Sequence, residues 1–196
     1  MTEAETKKQR RLEILKEARI LFARYGLKKT SMDDIAKAVG LVKTSLYYYF
    51  KSKEELFQAV IRHEGQIMIN RLKQEVDRYR SPQRKLRAYV ITKLEYFKEL
   101  VNLDNLIRIS TQEPLPLIEK ERQNFFKEEK ALVKDILEEG SRKNVFKVLN
   151  PELIAMIIIA SVRSLERTIL LYQDRRLSMS DYNAILDVFF YGVLKG

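Results

Sequence analysis

The chain of 196 residues is 45% hydrophobic and 33% charged, so one large or two small domains can bury a sizeable core. It has no cysteine, which excludes disulfides, thiolate metal sites and cysteine nucleophiles. Its net charge is +10, and residues 1–55 carry 13 Lys/Arg against 8 Asp/Glu, half of the excess in about a quarter of the chain; either a polyanion is bound there or the surface is simply solvated and basic.

Six glycines and four prolines leave long uninterrupted segments with apolar residues at helical spacing, which predicts an all-α protein. Residues 7–25 form the first predicted helix, with Leu12, Leu15, Ile20 and Phe22 among charged residues, and Gly26 supplies the left-handed residue that closes it. Ser31 is placed to cap a very short second helix, with Asp34 three residues on completing a capping box, and Gly40 ends it. Residues 43–50 make a third helix. Ser52 and Glu55 open a fourth that extends toward Tyr79. Pro82 begins the next, with Leu86, Val90, Leu94, Phe97 and Val101 on one face. The stretch QEPLPLIEK breaks the pattern, after which residues 117–139 are amphipathic up to Gly140. Asn150 and Pro151 then start a helix that is apolar all round, as an enclosed helix would be. A last helix, near residues 180–194, presents Tyr182, Ile185, Leu186, Phe189, Phe190 and Val193.

The second and third helices, joined by a turn at Gly40, Leu41 and Val42, read as a helix-turn-helix unit whose second helix enters the major groove of DNA. Ile35, Ala36 and Val39 form the inward stripe of one, Leu46, Phe50 and partly Tyr49 that of the other, and the small Ala36 permits close approach. Lys43, Thr44, Ser45, Tyr47 and Tyr48 are left facing outward, all able to hydrogen-bond. Three consecutive tyrosines sweep about 200° of a helix, so they cannot share one buried face. The flat rings of Tyr47 and Tyr48 suit sugars or thymine methyls, and their hydroxyls can reach phosphate. Lys53, at a helix start, meets an anion together with free backbone N–H groups.

The segment TSMDDIAKAVGLVKTSLYYYFKSKEELF, residues 30–57, with ILFARYGLKKTS before it, closely resembles the DNA-binding region of the TetR family of bacterial transcriptional repressors. The resemblance implies about nine helices, with a three-helix DNA-binding domain over residues 1–52 and a larger ligand-binding and dimerisation domain over residues 53–196. It implies that Lys43 and Thr44 touch base edges of double-stranded DNA, that Tyr47 and Tyr48 add backbone or thymine-methyl contacts, and that Ser31, Ser45, Tyr49 and Lys53 contact phosphate. Val42 departs from the serine common at its position and cannot cap by its side chain. Thr44 replaces a frequent glycine. The family's homodimers join through their last two helices. The apolar surface of residues 150–194 exceeds what one small domain covers, which points the same way. Its middle helices enclose an effector pocket, for which Tyr96, Phe97, Leu100, Phe126 and Arg163 are candidates; the aromatics equally suit plain core, and Arg163 with Glu166 and Arg167 equally suits an exposed charge cluster.

No Gly-rich phosphate loop, HExxH pattern or histidine cluster suggests an enzyme, a metal site or a cofactor; His63 is the single histidine. The charged start lacks a signal-peptide core, and the longest apolar run, Leu153 to Ala160, falls short of the roughly 18–20 residues of a membrane span, so a cytoplasmic address without a membrane partner is expected. The expected function is a homodimeric, ligand-responsive repressor on a near-palindromic operator, released by a small apolar or amphipathic effector. The alternative is a related DNA-binding factor that acts through a protein partner without an inducer.

Overall fold

The structure, a computed structural model, describes residues 2–99, 116–171 and 178–193. Among them are eight helices and no strand, in the order α1 (Glu3–Lys29), α2 (Met32–Ala38), α3 (Lys43–Tyr49), α4 (Lys53–Asp77), α5 (Pro82–Glu99), α6 (Pro116–Arg142), α7 (Pro151–Leu171) and α8 (Met179–Val193). The all-α expectation holds.

Helix α1 begins earlier than predicted, because Thr2 and Glu5 make a capping box ahead of the charged segment. Gly26, expected to close the helix in the left-handed conformation, instead kinks it at φ 79 and ψ 168, and helical geometry resumes to Lys29. The Ser31 box forms as read: the Asp34 N–H donates to Ser31 Oγ at 3.2 Å and the Ser31 N–H to Asp34 Oδ2 at 2.9 Å. Gly40 takes φ 66 in the turn. Ser52 caps α4 by accepting from the Glu55 N–H at 3.1 Å, whereas Glu55 reaches back to the Lys51 N–H rather than that of Ser52.

Other boundaries shift for physical reasons. Helix α4 ends at Asp77, short of Tyr79. Helix α6 runs through Gly140 to Arg142. Gly140 is there for space: a Cβ at this position would fall on the Phe146 ring. The positive φ that ends the segment belongs to Asn144, at 55°. Asn150 caps α7 by accepting from the Leu153 N–H at 3.0 Å. Helix α8 starts at Met179, since Ser178 and Asp181 form a further capping box.

The chain forms two compact units. One holds residues 2–66 with 116–123 of the described chain. Its core joins Ile14, Ala18 and Phe22 of α1, Ile35 and Ala36 of α2, Leu46 of α3, and Leu56 and Phe57 of α4, with Phe22 and Phe57 edge to face at 5.1 Å. The start of α6 is tied into this unit by Glu121, which accepts from Gln58 Nε2 at 3.0 Å and Arg62 Nε at 3.0 Å. The other unit holds residues 67–99, 124–171 and 178–193, with a core of Leu72, Tyr89, Leu94, Val133, Leu137, Ile159 and Leu186 among others. Helix α7, expected to be enclosed, leaves Leu153, Met156 and Ile157 between 41% and 49% exposed in the single chain, and Val188 of α8 is 75% exposed.

Candidate nucleic-acid interface

Helix α3 is only seven residues long and is held down by two side chains, Leu46 and the following Phe50, both 0% exposed. Two arginines of α1 complete its seating. Arg11 lies over the Phe50 ring at 4.1 Å and donates to the Tyr49 carbonyl at 2.9 Å. Arg10 donates to the Val39 carbonyl at the end of α2 at 3.1 Å and pairs with Glu13. The last carbonyls of a helix lack intrahelical donors and carry the negative end of its dipole, so cations are well placed there. Helix α1 thus fixes both members of the helix-turn-helix. The sequence reading missed these two arginines; their partners lie 29 and 38 residues away, beyond any local pattern.

The outward surface matches the expected set in part. Lys43, Thr44, Tyr47 and Tyr48 are exposed, Tyr47 at 43% and Tyr48 at 69%. Ser45 and Tyr49 are half-buried, and the Tyr48 and Tyr49 rings meet edge to face at 5.3 Å. Val42 occupies the N-cap of α3 without a side-chain hydrogen bond, as its apolar side chain requires. Ser31 is exposed, but its hydroxyl already donates to Asp34 at 2.6 Å, so a phosphate contact there competes with the cap. Lys53 is half-buried at the first position of α4. All eight residues belong to the first compact unit.

Of the five pocket candidates the structure describes three side chains, those of Tyr96, Phe126 and Arg163, all in the second unit. Tyr96 is buried, with the Arg71 guanidinium 5.4 Å from its ring. Phe126 is half-buried beneath Arg163 at 5.1 Å. Arg163 and Glu166 do not form an exposed pair: Arg163 donates to Glu129 Oε2 at 3.0 Å and Glu166 is buried, while the Arg167 side chain lies outside the described residues. The Phe97 side chain and Leu100 lie outside the described residues. A cleft of about 390 Å³ opens elsewhere, between α4 and α5, with Arg71, Glu75, Tyr79, Arg84, Arg87 and Glu95 among its lining residues and none of the five candidates.

Glu129 is the least expected residue of this unit. Its carboxylate is 0% exposed and accepts from the Tyr89 hydroxyl at 2.8 Å, Lys93 Nζ at 2.9 Å and Arg163. Burial pushes its pKa up, but Lys93, Arg163 and the Tyr89 hydroxyl together hold it below the usual carboxylate value. Burial first, and the Glu129 charge second, drive the Tyr89 phenol well above its ordinary value. Among the described residues no cluster of three or more metal-ligating side chains occurs, and no helix is long and apolar enough to cross a membrane.

Residues 14–60 match the family of bacterial regulatory proteins described as the tetR family. The transcriptional repressor KstR2 of Mycolicibacterium smegmatis is 32% identical over 143 residues, which span 70% of this chain and 68% of that protein. A transcriptional regulator from Cytophaga hutchinsonii superimposes with a TM-score of 0.74 at 28% identity, covering 93% of this chain and 97% of its own. FadR of Bacillus subtilis, solved in complex with stearoyl-CoA, also reaches 0.74, covering 92% and 98%, at 20% identity, and so shows the fold alone. The helix-turn-helix seated by α1, the all-helical fold and these likenesses agree: the chain belongs to the TetR family of bacterial DNA-binding transcriptional regulators.

Proposed function

We propose that the protein is a ligand-responsive repressor that binds a near-palindromic operator as a homodimer and is released by a small apolar or amphipathic effector. The observation that carries this reading is α3 itself: Leu46 and Phe50 are buried beneath a face of Lys43, Thr44, Tyr47 and Tyr48 that is exposed and rich in hydrogen-bonding groups. In this reading Lys43 and Thr44 contact base edges, and Tyr47 and Tyr48 approach sugar, phosphate or thymine methyl. Ser31, Ser45, Tyr49 and Lys53 contact phosphate. Residues 1–52, with Lys53 at the boundary, do the DNA binding, and residues 53–196 hold the effector and the dimer contact. The exposed Leu153, Met156, Ile157 and Val188 of the last two helices support that dimer, since an apolar surface of this kind is covered in a homodimer interface.

The effector class is supported by the named relatives: one solved KstR2 is a ketosteroid transcriptional regulator, and the Bacillus subtilis FadR holds stearoyl-CoA. Arg163 is tied to Glu129, so in this chain the apolar body of the ligand carries more of the recognition than a salt bridge to a free arginine. The test is fluorescence anisotropy on DNA from upstream of the protein's own gene against scrambled DNA, in a chloride series, followed by titration of acyl-CoA and steroid-type ligands. Binding to upstream DNA that outlasts rising salt, and is released by one of these ligands, supports the reading. Specific binding that no small molecule relieves favours a factor acting through a protein partner; equal affinities that collapse together refute autoregulation.

A further inference from the structure

The most exposed ring of α3 is not alone. Lys7 of α1 donates from Nζ to the Tyr48 hydroxyl at 3.0 Å, and the same ammonium stands 4.4 Å from the centre of the Tyr48 ring. The two residues are 41 positions apart in sequence and both lie on the surface. A tyrosine hydroxyl has one proton to give and lone pairs to accept. Because its oxygen accepts from Lys7, the proton of Tyr48 is free to point away, and the ammonium keeps two further N–H donors. Two donors about 3 Å apart, one of them charged, match the spacing of two oxygens on a single phosphate.

We infer that Lys7 and Tyr48 form one composite seat for a DNA backbone phosphate, joining the N-terminal part of α1 to the recognition helix. This deepens, and rests on, the proposal that α3 lies in the major groove. It also narrows the role of Tyr48: its hydroxyl serves the backbone, and base discrimination is left to Lys43, Thr44 and Tyr47. The hydrogen bond to the Tyr48 hydroxyl favours the charged ammonium and raises the Lys7 pKa above its ordinary value, so Lys7 is cationic where DNA binding is measured. An edge-to-face contact with Tyr49 at 5.3 Å further fixes the Tyr48 ring.

The experiment is a double-mutant cycle on the full chain, with Lys7→Ala, Tyr48→Phe and both together. It is read by anisotropy on specific and scrambled duplexes from low to moderate chloride, with circular dichroism to establish that each variant is folded. Loss of one phosphate neutralisation lowers the slope of log affinity against log salt by about 0.9, so Lys7→Ala is expected to do this on both duplexes. Tyr48→Phe removes a hydrogen bond but no charge, and is expected to weaken both duplexes about fivefold with the slope unchanged. The double variant is expected to lose little more than Lys7→Ala, since the hydroxyl acts through the shared phosphate. Strictly additive losses, an unchanged slope in Lys7→Ala, or a Tyr48→Phe loss confined to the specific duplex would overturn the composite seat while leaving specific DNA binding standing. Failure of the unsubstituted protein to bind either duplex would overturn both readings.

Discussion

The two compact units place their cations differently. In the unit built on α1 to α3 the cations stay outside even where a carboxylate is buried, as with Arg19 at Glu64 and Arg62 at Glu121, while Arg10 and Arg11 close helix ends and Lys7 sits on Tyr48. In the other unit a carboxylate and an ammonium are taken into the core: Glu129 is fully buried, and the Lys93 side chain is 6% exposed. The lesson is about what sequence can show. Charges that remain at the surface follow helical spacing and can be read as a face, whereas a buried ion pair interrupts the apolar pattern and looks like more surface until its partners are known.

The largest effect should come from breaking the buried pair on one side. Glu129→Leu strands Lys93 without a counter-charge and is expected to cost about 3–5 kcal/mol in urea unfolding. Adding Lys93→Met should recover most of that loss, because Arg163 is half-exposed and can return to water. A single substitution with no measurable cost would mean that the pair is open to solvent, and the contrast between the units would fall. Next in size is Gly140→Ala, where the new methyl meets the Phe146 ring. Overpacking of this kind costs about 1–3 kcal/mol, offset in part by the roughly 1 kcal/mol gained from a better helix former. A net rise in melting temperature would show that the ring can turn aside.

In the first unit the corresponding change should stabilise. Val42→Ser offers α3 the side-chain cap it lacks and is expected to add about 1 kcal/mol, with a melting temperature that rises rather than falls. The finest discrimination is by pH. Glu129 has a lowered folded pKa, so its contribution is complete above the ordinary carboxylate range and is lost as pH falls through the lowered value. Glu64, buried against Arg19 at 3.3 Å, has a raised one, chiefly from burial and in spite of Arg19 and His63. The folded state therefore holds that proton more tightly, and stability declines as pH rises from the ordinary carboxylate value through the raised one. Unfolding midpoints followed from neutral to acid pH should show Glu129→Gln flattening the acid loss and Glu64→Gln flattening a change of the opposite sign. The same sign in both variants would contradict the assigned environments.

The elements that were legible are those with local causes. Ser31 with Asp34, Asn150, Pro82 and Gly40 act within one helical turn, and each does in the structure what its chemistry suggested. Gly26 takes the positive φ its chemistry allows, but at a kink rather than at a helix end. The division of the aromatic run was legible too, because no helix can bury three consecutive tyrosines on one face. Arg10, Arg11, Lys7 and Glu129 were not, since each owes its role to a residue brought near by the tertiary fold. Gly140 misled for a different reason: glycine signals either backbone freedom or missing bulk, and the sequence does not say which.

Gly26 and Gly40 invite a last distinction, in how far each position can drift. Both take positive φ, but Gly26 is buried and its ψ of 168 lies in a region that essentially only glycine enters, whereas Gly40 has nothing within 4 Å of where a Cβ would stand. In a randomised library screened for the folded protein, position 26 should return glycine alone. Position 40 should return asparagine and aspartate beside it, because only the backbone, and no neighbour, restricts the choice there.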